Sequence, residues 1–275
     1  MTEGLQIRRA LTEAAARLAA IPGQPRQDAE LLMAHALGTS VGAMHLLLEE
    51  GAPDTFATYI ERRLAREPVA YITGSAGFWT IDLEVGPGVL IPRADSETLI
   101  EAAVQHFGTR APANILDLGT GPGTLLLAAL DQWPTARGLG VDASDAALAY
   151  ARRNAAALRL ADRAEFRQGD WAEGLDAAFD LVLCNPPYVE AGAPLDADVA
   201  DWEPHGALFA GADGLAAYRR IAPALPPLVR PGGLACIEHG QGQEDALAQL
   251  FADAPFTISS RPDLRGVTRC LVLRA

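Results

Sequence analysis

The chain has 275 residues, 49% of them hydrophobic, and a formal net charge of −13, so it exceeds one ordinary domain and can supply a sizeable core. No apolar run reaches the roughly 18 residues of a membrane span and the N-terminus lacks a secretory apolar stretch, which predicts a soluble cytoplasmic protein. The acidic balance and the want of clustered lysines and arginines argue against a duplex-binding surface and suit docking onto a basic protein surface.

The first predicted elements are helices. Leu11, Ala14, Ala15 and Leu18 share one face; Leu31, Leu32 and His35 form another before Gly38; Phe56, Tyr59, Ile60 and Leu64 form a third before Pro68. Helices this short need one another, so residues 1–75 are expected to form a bundle that acts as a docking module with little chemistry of its own. Arg62, Arg63 and Arg66, like Arg152 and Arg153 further on, read as solvated helix faces. Ile81, Leu83 and Val85 then alternate before a break at Gly86-Pro87-Gly88, which predicts a strand pair serving as a joint over residues 76–92.

From residue 93 onward, a helix over Asp95 to Phe107 precedes a regular alternation of strands and helices. Strands are expected at Ile115 to Leu118, Leu139 to Asp142, Ala164 to Gln168, Phe179 to Cys184 and Leu234 to Glu238, with Phe256 to Ser260 and Cys270 to Leu273 closing the sheet. That rhythm implies an α/β fold with a doubly wound, mostly parallel sheet over residues 93–275. Cys184, Cys236 and Cys270 lie far apart with no C-x-x-C pair and read as small buried hydrophobes in a reducing compartment. The histidines show no metal-ligand spacing, and no metal is expected.

Asn114-Ile115-Leu116-Asp117-Leu118 runs into Gly119-Thr120-Gly121-Pro122-Gly123, a short strand entering a glycine-rich turn before a helix. Asp142 follows at about the 20-residue distance expected of a ribose-binding acid. A dinucleotide loop would bring a third glycine one residue later, and its pyrophosphate would be repelled by Asp117. A cationic ligand, such as the methionine end of S-adenosylmethionine, would gain from that acid. Taken alone, the loop could be a tight turn, and Asp142 a cap for the helix starting near Ser144.

Asn185-Pro186-Pro187-Tyr188 closes the apolar run from Phe179 to Cys184, at the carboxyl end of a strand where open α/β sheets place their chemistry. The prolines hold φ near −65° and lack N–H groups, which makes a rigid bracket. The Asn185 side-chain oxygen and the Pro186 carbonyl can each accept one hydrogen of a planar NH2 group, and Tyr188 offers an aromatic face to a flat substrate. The plain alternative is a strand-ending turn with a buried tyrosine.

These motifs in this order resemble the HemK/PrmC protein-(glutamine-N5) methyltransferases that modify class I peptide chain release factors. The resemblance spans nearly the whole chain: Tyr71-Ile72-Thr73-Gly74, Gly77-Phe78-Trp79, Leu90-Ile91-Pro92-Arg93 with Asp95 and Glu97, Asp117 to Gly123, Asp170-Trp171, Asn185 to Tyr188, Glu203-Pro204 with Ala207-Leu208, Gly232-Gly233 and Glu238-His239-Gly240. Where the family usually has Ile-Pro-Arg-Pro-Asp-Thr-Glu, this chain has Ala94 and Ser96, and Gly77 replaces a larger residue before Phe78. None of these departures touches a residue expected to do chemistry.

The resemblance implies a Rossmann-like class I S-adenosylmethionine-dependent methyltransferase domain with a seven-stranded sheet, one strand of it antiparallel, behind a small N-terminal helical bundle and a β-hairpin linker. It implies that Asp117, Gly119, Thr120, Gly121, Pro122 and Gly123 hold the methionine end of the cofactor. By the same carry-over Asp142 takes the ribose and Trp171 the adenine, with Asp170 nearby, the plain alternative being that Trp171 is a core residue. Asn185, Pro186 and Tyr188 would carry catalysis, Asn185 also touching the cofactor, with Pro187 and Arg93 also touching the substrate glutamine. Neither Glu203 nor His239 is nominated as a base. The alternative enzyme is an adenine-N6 methyltransferase acting on DNA or RNA, which would want a basic track that this chain lacks. A non-catalytic binding module of the same fold is the third reading, and intact Asn185 and Asp142 weigh against it.

Overall fold

The computed structural model describes residues 6–275; the first five residues of the expected helical segment lie outside the described residues. The chain divides into two compact units, one comprising the residues up to Ser75 with Leu195–Trp202, the other Ala76–Pro194 with Glu203–Ala275. Helices in chain order are α1 (Ile7–Leu18), α2 (Pro25–Leu37), α3 (Val41–Met44), α4 (Asp54–Leu64), α5 (Val69–Thr73) and α6 (Glu97–Phe107). They continue as α7 (Thr124–Gln132), α8 (Asp145–Ala157), α9 (Ala197–Ala200), α10 (Ala216–Ile221) and α11 (Glu244–Leu250). Strands are β1 (Ser75–Phe78), β2 (Ile81–Glu84), β3 (Asn114–Leu118), β4 (Arg137–Asp142), β5 (Ala164–Gln168), β6 (Phe179–Cys184), β7 (Val229–Glu238), β8 (Thr257–Pro262) and β9 (Thr268–Arg274).

In the first unit, Ile7, Leu11, Ala14 and Leu18 of α1 pack with Phe56 and Ile60 of α4, as their spacing requires. The face of α2 differs from expectation. Leu31 and His35 are exposed, and the stripe turned inward is Ala29, Leu32 and Met33 with Ala36 behind it, the i, i+3, i+4, i+7 set that a helix can bury together. Arg63 and Arg66 also depart from a solvated face. The Arg63 side chain is only 5% exposed; its Nε donates to Asp28 at 2.8 Å and its Nη2 lies 2.7 Å from Asp198 of α9. Arg66 pairs with the same Asp198, so the segment Leu195–Trp202 is held in this unit by buried charge.

The strand pair is β1 with β2, turning at Trp79-Thr80 rather than at Gly86-Pro87-Gly88. A two-residue turn closes a hairpin in which Ile81 and Leu83 point inward, and Val85 to Arg93 continues as irregular chain. The seven-stranded sheet has the order β5-β4-β3-β6-β7-β9-β8. β9 runs antiparallel to both of its neighbours, while β3, β4, β5, β6 and β7 pair in parallel. β6 is buried along its length except at Asp180, because a central parallel strand is covered on both faces; this is why it reads as an apolar run broken only by that residue. The strand order reverses between β3 and β6, where Leu118 sits opposite Cys184. The carboxyl ends of these two strands flank the crevice of the sheet.

Candidate functional site

The turn after β3 opens the site. Gly119 and Gly123 have φ of 72° and 90°, a backbone that side-chain-bearing residues rarely adopt, and a Cβ on Gly119 would stand 3.2 Å from the ring of Trp171. Asp117 lies just before this turn and is 1% exposed. Its Oδ2 accepts from the Thr120 hydroxyl at 2.7 Å and from the Leu126 N–H at 3.2 Å, the latter an orphan donor in the first turn of α7. Its Oδ1 is buried with no hydrogen-bond partner among the described residues. Burial pushes the Asp117 carboxyl up to about 7, against the pull of those two donors.

Asp142 ends β4 and braces the turn from the other side. Its Oδ2 accepts from the Gly121 N–H at 2.8 Å and its Oδ1 from the Ser144 N–H at 2.9 Å, while burial raises its pKa. The cap of α8 is Ser144, whose hydroxyl oxygen accepts from the Ala147 N–H, so Asp142 is not the capping residue. Asn154, which sequence reasoning passed over, is buried and donates to the carbonyls of Pro122 and Glu84 at 2.9 and 3.1 Å. It ties the glycine turn to β2.

Asn185 follows β6 directly. Its Nδ2 donates to the Ser96 hydroxyl oxygen at 3.0 Å, and that hydroxyl in turn donates to Glu238 Oε2 at the end of β7. Tyr188 donates its hydroxyl to the other Glu238 oxygen at 3.3 Å. Ser96, one of the positions where this chain departs from the family's usual segment, therefore stands one hydrogen bond from Asn185. Glu238 is 1% exposed, and its burial pushes it up to about 7.

One cavity of about 510 Å³, lying wholly within the second unit, is lined by Asp117, Gly119, Thr120, Gly121, Pro122, Asp142, Asp170, Trp171, Asn185, Pro187 and Arg93, and also by Ser96. Of the residues predicted for the site, Gly123, Pro186 and Tyr188 do not line it. Gly123 sits at the start of α7, and the Tyr188 hydroxyl is engaged with Glu238. The Asp170 carboxylate pairs with Arg220. Arg93 pairs with Glu203 at 2.5 Å, and the second Glu203 oxygen accepts from the Ile91 N–H at 3.1 Å. Glu203 is thus a buried clamp on the Ile91-Pro92-Arg93 segment. His239 is fully buried, and its Nδ1 faces the Gly240 carbonyl at 2.9 Å. Neither Glu203 nor His239 lines the cavity, so neither is placed to take a proton there.

The arrangement gives one cavity an acid suited to a cationic group, a second acid at a strand end, an aromatic ring over a glycine, and a side-chain amide with a fixed nitrogen. Among the described residues no cluster of His, Cys, Asp and Glu could hold a metal ion, and no helix is long and apolar enough to cross a membrane.

Residues 9–74 match the model of the PrmC N-terminal domain and residues 94–201 that of the methyltransferase small domain. The chain is 43% identical over 260 residues to a release factor glutamine methyltransferase of Rhodospirillum rubrum, covering 91% of this chain and 79% of that one. It is 41% identical over 271 residues to the protein of that name from Mycolicibacterium smegmatis, covering 96% of each. Among solved structures, an rRNA methyltransferase of T. thermophilus, in complex with AdoMet and guanosine, superposes with a TM-score of 0.51 at 22% identity, over 73% of this chain and 49% of that one. The last likeness is one of fold.

Proposed function

This chain belongs to the release factor glutamine methyltransferase family, and we propose that it methylates the side-chain amide nitrogen of the glutamine in the Gly-Gly-Gln motif of a class I peptide chain release factor, with S-adenosylmethionine as methyl donor. The reaction takes place in the cytoplasm and modulates translation termination. The observation that carries this reading is the juxtaposition of Asp117 and Asn185, at the ends of neighbouring strands and on one cavity.

The residues fit the donor. Asp117 has a buried oxygen without a partner, which the ammonium of a methionine group would satisfy. Asp142 retains acceptor capacity for ribose hydroxyls beside its two backbone contacts, and Trp171 provides a flat apolar wall for adenine. When bound, S-adenosylmethionine supplies a methyl group activated by its sulfonium.

A glutamine amide nitrogen is a poor nucleophile because its lone pair is delocalised into the carbonyl, so orientation and electrostatics must supply most of the catalysis. Asn185 Oδ1, on the cavity, accepts one amide hydrogen and favours the positive charge that grows on nitrogen during attack; the Pro186 carbonyl, beside it in the chain but not in the cavity lining, would accept the other. With the donor bound, the glutamine nitrogen would take the methyl as the carbon–sulfur bond breaks, the electron pair staying on sulfur and the nitrogen's proton passing to water. Arg93, held by Glu203, and Pro187 border the acceptor. The N-terminal unit docks the release factor.

The direct test is incubation with labelled S-adenosylmethionine and separate acceptors. Label should enter the release factor and not DNA or RNA; label in nucleic acid alone would favour an adenine-N6 activity instead.

A further inference from the structure

Asn185 is anchored by a chain of hydrogen bonds that has a direction. A serine hydroxyl has one hydrogen to give. The Ser96 hydroxyl donates it to Glu238 Oε2, so towards Asn185 it can only accept, and Nδ2 at 3.0 Å is what it accepts from. The other end of the amide, Oδ1, is then the end offered to a substrate N–H. Glu238 is held in turn by the Tyr188 hydroxyl at 3.3 Å. A buried carboxylate that accepts from two hydroxyls and lies outside the cavity lining contributes no contact to the substrate; its effect passes through Ser96.

We propose that Ser96 and Glu238 are positioning residues for methyl transfer: the Glu238 carboxylate, by taking the single hydroxyl hydrogen of Ser96, fixes the Asn185 amide with its oxygen as the acceptor for the glutamine N–H. The proposal rests on the methyltransferase reading above and deepens it. Protonation of Glu238 undoes the arrangement. A carboxylic acid donates to Ser96, which frees the serine hydrogen to point at Asn185 and lets the amide turn its nitrogen outward. Burial holds Glu238 near 7, so the exchange falls within the working range of pH. The charged and titratable groups facing Glu238 are Asp95 beside Ser96, Tyr188, Cys184 at the end of β6, Tyr218 of α10, and Arg269 and Cys270 of β9, while His239 only follows it in the chain; of these, Asp95 raises and Arg269 lowers its pKa.

The experiment uses the full chain. Single-turnover transfer to a release factor at saturating S-adenosylmethionine should become faster with rising pH, with a midpoint near 7. Ser96→Ala should slow transfer about tenfold, near the upper end for one net hydrogen bond, without changing the cofactor dissociation constant. Ser96→Thr, which keeps the hydroxyl, should recover most of the rate. Glu238→Gln presents an uncharged carbonyl to Ser96 and should abolish the pH rise. The chain has three asparagines, so 15N-asparagine labelling gives three side-chain amide signals. That of Asn185 in the free protein should titrate near 7 in the wild type and not in Glu238→Gln. Failure of the wild type to methylate a release factor would sink the functional reading but leave the amide titration to decide the positioning role. A wild-type rate in Ser96→Ala, or an Asn185 signal indifferent to pH, would overturn the proposal even with methylation intact.

Discussion

Gly121 donates its backbone N–H to Asp142 Oδ2 at 2.8 Å, so the acid after β4 and the glycine turn after β3 act as one piece of the cavity wall. Replacing Asp142 with Ala removes the brace of the turn together with the acceptors offered to the ribose. We expect S-adenosylmethionine binding to weaken by about 1.5 to 3 kcal/mol, the range for hydrogen bonds to a charged group. Calorimetry on the folded variant measures it, and unchanged affinity would leave Asp142 a brace alone.

Asn185→Ala should act on the other step. The lost acceptor matters most as charge develops on the glutamine nitrogen, so transfer should slow by a factor on the order of 10² while cofactor affinity stays near normal. Single-turnover kinetics separates the two. A near-normal transfer rate would remove Asn185 from the catalytic groups.

Asp117 makes cofactor binding depend on pH. Burial raises it from an ordinary 3.8 to about 7, so over that window the folded, unliganded protein holds a proton that the unfolded chain has released. The stability this contributes is fully present below the lower value and is lost as pH rises through the upper one. A ligand ammonium pairs with the ionised form, so affinity should climb with pH and level off above about 7, and binding at pH 6 should expel a proton. Binding heats measured in buffers of different ionisation enthalpy report that proton, and Asp117→Asn should release none. A proton taken up by the wild type would contradict the pairing.

In the first unit, Arg63→Ala leaves Asp28 and Asp198 without their shared partner. Breaking a fully buried pair costs about 3–5 kcal/mol, and because both acids keep some exposure we expect about 2–3 kcal/mol here. Chemical denaturation gives the value, and a loss of no more than about 0.5 kcal/mol, the effect of an ordinary surface change, would show that the ion pairs contribute little.

Much of this site was legible in the chain. The strands at β3, β4 and β6 were marked by apolar runs that end at Asp117, Asp142 and Asn185, and local composition alone places those residues at strand ends. The glycine turn was equally plain, since left-handed φ at Gly119 and Gly123 is the conformation for which glycine is suited. What could not be read were contacts between distant parts of the chain. Ser96 meets Asn185 across 89 residues and Glu238 across 142, with only a serine in place of the family's threonine as a signal. Arg63 looked solvated because Asp198, which buries it, lies in another segment altogether. On α2, the error was one of phase: Leu31 is an apolar residue on the outer side, and a short apolar run fixes a helix more firmly than it fixes which side faces inward.

The central claim is the acceptor atom. Release factor incubated with the protein and S-adenosylmethionine should, on peptide mass spectrometry, carry one added methyl on the glutamine of its Gly-Gly-Gln motif, and none when that glutamine is replaced by alanine. A methyl found on another residue, or a release factor left unmodified while nucleic acid is methylated, would contradict the account.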